Sequence, residues 1–149
     1  MNLKEALFKK CEVFIDNRLV TIQNTINEIQ KSLLSETKSS AGDKHETGRA
    51  MLQLEREKAG QQLADVQKTK EVLFKIDSNK TSEVVCLGSL IYTSKEAYYL
   101  AISAGEINLE GALFYAISTA TPIGKLLLSK KAGETVSFRD QIIIIEKVL

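Results

Sequence analysis

The chain has 149 residues, 44% hydrophobic and 26% charged, which suffices for one ordinary domain or two small modules with modest cores. No stretch approaches the roughly 18 to 20 apolar residues of a membrane span, and the charged opening around Lys4, Glu5, Lys9 and Lys10 does not suit a secretory leader. Twenty Lys and Arg against 19 Asp and Glu leave a net charge of +1, which argues against unaided binding to duplex nucleic acid.

From Ile15 the apolar residues fall at Ile15, Leu19, Ile22, Ile26, Ile29 and Leu33. These alternating steps of four and three form the seam of a coiled-coil helix. A second run follows the same rule at Leu52, Ala59, Leu63, Val66 and Leu73, with Arg56 and Lys70 intruding on the seam. Between the runs, the small and polar residues from Thr37 to Asp43 are of the kind that end helices. The expected topology is an antiparallel helical hairpin over residues 1–76 with its tip near 38–48. At 1.5 Å per residue, some 30 residues per arm give about 45 Å, longer than is needed to pack a small domain. Pairing between two chains gives the same periodicity, so a dimerising coiled coil is the alternative at this point.

At the tip, Asp43 and Glu46 stand three residues apart, on one face of any helical turn. Taken as local structure, Asp43 is an N-cap and Glu46 completes a capping box opening the second helix. His45, the single histidine, is expected to be solvated rather than a ligand.

Beyond residues 77–82 the period changes. Residues 83–92 and 97–102 are rich in β-formers and read as a hairpin of strands, and Leu113–Ile117 reads as a third strand. Thr121 then Pro122, the single proline, suit the start of a short helix. A terminal pair of strands is expected at 134–138 and 142–148 around Arg139 and Asp140, with the isoleucine run 142–145 covered on both faces or nearly so. The fold class is α+β: a helical hairpin, residues 1–76, then an antiparallel sheet with one short helix, residues 77–149. Cys11 and Cys86 lie far apart in no metal or redox spacing, so buried thiols in a reducing, cytoplasmic compartment are expected.

Two segments resemble the Gre family of bacterial transcript cleavage factors. Residues 117–134, with Thr121, Pro122, Ile123, Gly124 and Lys125 at their centre, are similar to the family's strand, Ser-Pro-Ile, short helix and Gly-Asp turn, with mild departures at Thr121 and Ser129. Gly42, Asp43 and Glu46 are similar to its Gly-Asp-x-x-Glu tip, whose two acids are the functional pair of cleavage-competent members. The resemblance spans nearly the whole chain and implies an FKBP-like head that docks at the rim of the RNA polymerase secondary channel while the hairpin reaches the active centre. It implies no enzyme in its own right, since the hydrolysis belongs to the polymerase. Asp43 and Glu46 would position Mg2+ shared with the polymerase, and none would be held tightly by the isolated chain. Magnesium takes one or two protein carboxylates and completes its shell with water and phosphate.

The expected partner is RNA polymerase, with the RNA 3′ end met indirectly, no membrane and a monomeric chain. Pro122, Ile123 and Lys130 are the candidate docking residues. Where the family commonly continues Asn-Ala-Glu-Tyr after the tip glutamate, this chain has Thr47, Gly48, Arg49 and Ala50, and that departure bears on cleavage more than on fold. A non-cleaving channel regulator of the same shape is therefore the alternative function. A peptidyl-prolyl isomerase and a plain dimerisation module complete the readings; the former is poorly served by a chain with no Trp.

Overall fold

The computed structural model describes residues 2–38 and 42–149, with no side chain described for residues 37–46. The fold is α+β: two long helices forming a hairpin, then a six-stranded mixed sheet with one short helix. By their contacts the residues form two compact units, Ile15–Thr69 on one side and Met1–Phe14 with Lys70–Leu149 on the other.

Helix α1 spans Leu3–Lys38 and α2 spans Gly42–Phe74. Asn2 starts α1, its Oδ1 accepting the Glu5 N–H at 2.7 Å, the bond expected of an N-cap. Within the unit Ile15–Thr69, seam residues Ile15, Ile22, Ile26 and Ile29 of α1 and Ala59 and Val66 of α2 are buried. The seam is thus paired between the two helices of one chain. Each buried isoleucine contributes about 2 kcal/mol against the exposed state.

In the other unit, β1 (Leu90–Thr93), β2 (Ala97–Ala101), β3 (Gly105–Leu109), β4 (Ala112–Ser118), β5 (Thr135–Phe138) and β6 (Gln141–Val148) lie in the order β3-β4-β2-β1-β6-β5. One face carries a core of Val85, Ile91, Tyr98, Leu100, Val136, Ile143 and Ile145, closed by Ile123 and Leu127 of helix α3, Pro122–Leu127. Leu7, Cys11, Leu73, Leu90 and Tyr99 of the same unit are also fully buried.

Three expectations need correction. The sheet is not wholly antiparallel, because β2 and β4 pair in parallel, Tyr98 opposite Tyr115. The cause is β3, a strand not expected from the sequence. It reverses direction after β2 and forms a hairpin with β4, so β4 runs the same way as β2 and lies between β2 and β3. Residues 83–89 are not a strand; apart from an isolated bridge between Val84 and Lys131, they form a loop whose Val85 N–H donates to the Lys130 carbonyl at 2.8 Å. The isoleucine run is covered on one face only: Ile143 and Ile145 are buried, while Ile142 and Ile144 are 69% and 47% exposed. Side chains alternate across a strand, and α3 covers just one side at this end of the sheet.

The β5–β6 turn consists of Arg139 and Asp140, with φ of 53° and 61°. Two consecutive left-handed residues suit Asn-Gly, whereas each side chain here costs about 1 kcal/mol. Part of that is offset by the Arg139 guanidinium, 5.0 Å from the Phe138 ring centroid. Replacing the pair by Asn-Gly should raise the unfolding free energy by about 1 kcal/mol, seen as a higher urea midpoint at unchanged slope.

Candidate functional site

Helix α2 begins at Gly42, so Asp43 and Glu46 are its second and fifth residues, at the end where the hairpin joins. Asp43 is thus inside the helix rather than at its cap, within the usual one- or two-residue spread of helix boundaries. The side chains of Asp43, His45 and Glu46 lie outside the described residues. Two carboxylates at i and i+3 share a helix face, and a helix N-terminus favours negative charge.

The positions just after the pair are described. Arg49 Nη1 donates to the Leu33 carbonyl of α1 at 3.2 Å. A Cβ placed on Gly48 would lie 3.4 Å from the Glu36 carboxylate of α1. Arg49 bonds α2 to α1 near their join, where the two helices approach closely at Gly48. Arg49, considered from the sequence as a contact for RNA phosphate, spends at least one donor inside the hairpin. Among the described residues, no group of three or more His, Cys, Asp and Glu is placed to hold a metal ion.

The second motif is built around α3. Thr121 is its N-cap: Oγ1 accepts the Gly124 N–H at 3.1 Å and donates to the Ser118 carbonyl at 2.8 Å. Pro122 follows at the first helical position, where its missing N–H costs nothing. A Cβ on Gly124 would fall inside contact distance of the Ser118 carbonyl oxygen and 2.8 Å from Thr121 Oγ1. The chain leaves α3 through Ser129 at φ 69°, and the Lys131 N–H donates to Glu134 Oε2 at 2.6 Å. Thr121, Pro122 and Gly124 each have a structural reason for their identity.

Pro122 is exposed, Lys130 is partly exposed and Ile123 is buried in the sheet core. Ile123 therefore has little surface to offer a partner, and the exposed apolar side chain of this helix is Leu126.

Sequence patterning does not single out Lys4, a buried lysine whose Nζ donates to the carbonyl oxygens of Lys80 and Leu149. A lysine in the first turn of an amphipathic helix ordinarily belongs to the solvated face, and no local signal marks this one.

Among the described residues, no helix is long and apolar enough to cross a membrane. No protein-family model matches the chain, and no curated protein matches it. Among solved structures, one described as the structure of the transcription factor Gfh1 is similar at 18% identity, covering 90% of each chain, with a TM-score of 0.35.

Proposed function

We propose that this chain binds RNA polymerase, inserts its helical hairpin into the secondary channel and stimulates cleavage of backtracked transcripts by the polymerase itself. The observation that carries the reading is the position of the acidic pair. Asp43 and Glu46 are the second and fifth residues of α2, at the joined end of a hairpin whose apolar seam is buried within one chain. The resemblance of residues 117–134 to the Gre family supports it independently.

Two carboxylates three apart on a helix suit Mg2+ that takes its remaining ligands from water and nucleic-acid phosphate. That ion would supply Lewis-acid activation of a water at the scissile phosphate. Asp43 and Glu46 contribute negative charge at the hairpin's end and orient it; they cleave nothing alone, so the chain is not an enzyme in its own right. The RNA 3′ end is met only through the polymerase, and the setting is the cytoplasm.

The test is transcript cleavage by stalled, backtracked polymerase of the same organism, comparing wild type with the double variant Asp43→Asn, Glu46→Gln at equal helicity by circular dichroism. The variant should lose roughly 100-fold or more of the stimulated rate, the scale of a lost electrostatic contact in an active centre. Equal stimulation by both proteins would overturn the role given to the pair.

A second reading is favoured by Arg49 and Gly48. Where the family commonly has a further acid, this chain has an arginine bonded across to α1. A hairpin braced in this way, with one acid fewer, suits a channel factor that acts by obstruction. Polymerase binding without cleavage by wild type would select it.

A further inference from the structure

Lys4 is the single buried charged side chain among the described residues, 8% exposed. Its Nζ donates at 2.8 Å to the Lys80 carbonyl and at 3.2 Å to the Leu149 carbonyl. An ammonium group has three N–H donors, so one has no acceptor among the described residues. Burial lowers its pKa from the usual lysine value, while Cys86 and Asp77 pull it upward.

Lys4 lines a cavity of about 310 Å³ together with Lys75, Lys80, Asp77, Cys86 and Ser89. Ser89 Oγ is spent locally, accepting the Cys86 N–H at 2.9 Å and donating to Cys86 Sγ at 3.6 Å. Asp77 Oδ1 accepts the Asn79 N–H at 3.0 Å. The donors left to a ligand are therefore mainly cationic: Lys4, Lys75 and Lys80 border the hollow, with Asp77 the acidic side chain in its lining. Like charges so gathered repel one another, and an anion between them relieves that repulsion.

We propose that this cavity binds a small phosphate-type anion, held by Lys75, Lys80 and the spare donor of Lys4. The inference is independent of the polymerase reading. Lys4 by itself has a simpler role as a clamp between the start of α1 and the carbonyls of Lys80 and Leu149. A clamp, however, needs neither the Lys75 nor the Lys80 side chain, and both residues are exposed.

That difference sets the test. The full chain is titrated with inorganic phosphate, pyrophosphate and adenosine diphosphate at constant ionic strength, which holds nonspecific screening fixed. Amide resonances of Ser82, Cys86 and Ser89 report binding. Alkylation of Cys86 by iodoacetamide reports occupancy, with the fully buried Cys11 as the unreactive control. Saturable shifts with protection of Cys86 are expected, weakened at least about tenfold in the exposed-site double variant Lys75→Gln, Lys80→Gln. Equal affinity for all three probes would identify free phosphate as the ligand, and tighter binding of the diphosphates a diphosphate-bearing molecule. No saturable binding of any probe up to about 10 mM, or binding undiminished in the double variant, would overturn the proposal.

Discussion

Gly124→Ala should destabilise the protein by about 3 kcal/mol, the upper range for forcing atoms into a packed site. The added methyl has no room: it would overlap the Ser118 carbonyl oxygen and press on Thr121 Oγ1. Neither neighbour can yield cheaply. The Ser118 carbonyl belongs to the end of β4 and accepts the Thr121 hydroxyl proton, while Thr121 Oγ1 caps α3. Displacing α3 instead would pull Ile123 and Leu127 from the sheet core. Gly133→Ala is the control, because Gly133 has φ of 91° and nothing within 4 Å of an added Cβ. It carries only the left-handed backbone penalty of about 1 kcal/mol. Urea unfolding of the two variants separates the effects, and equal losses would sink the packing account.

The same glycine shows what is legible in the sequence. Residues 121–124 stand out as a motif, but their resemblance to a family gives no reason for the identities. The structure supplies one for each: a cap, a prolyl first turn, a core side chain and a close backbone approach. The helical seam is readable because a heptad repeat is a local, one-dimensional signal, and its buried residues fall where that repeat puts them.

β3 escapes a sequence reading because it is an edge strand with only Ile107 buried, so it lacks apolar alternation. Its turn with β4, Glu110 and Gly111, both at positive φ, is the available signal. Without that strand, the parallel pairing of β2 and β4 is invisible. The isoleucine run looks two-sided because four apolar residues in a row do not say how many faces are covered. At the candidate site, Asp43 and Glu46 are legible as a spacing, whereas the Lys4 cavity joins residues some 70 positions apart in the chain and no local pattern marks it.

Alkali should unfold the protein progressively above pH 9, with Cys11 as the first cause. Cys11 is fully buried in the unit that holds the sheet, and burial pushes its thiol from 9.0 up to about 12. A thiol harder to ionise in the folded state gives stability that is fully present below pH 9 and is lost as pH rises towards the folded value. The loss is about 1 kcal/mol between pH 9 and 10, and about 4 kcal/mol in all by pH 12, since each pH unit in that window removes about 1.4 kcal/mol. Tyr99 adds to the decline from pH 10 upward, since burial, with Cys11 a smaller contributor, also raises its hydroxyl, which has no hydrogen-bond partner. Lys4 acts in the opposite sense, because its lowered pKa makes stability rise with pH up to the ordinary lysine value. The Lys4 contribution and the part of the Tyr99 shift that comes from burial remain in Cys11→Ala, so the difference between wild type and variant below pH 10 reports chiefly the thiol. The variant should start about 1 to 2 kcal/mol less stable at pH 7 through the lost sulfur. It should then lose less stability than wild type between pH 9 and 10, closing the gap by pH 10 to 11. Parallel curves for the two proteins, measured by urea unfolding at pH 7, 9, 10 and 11, would show that the thiol does not govern alkaline stability.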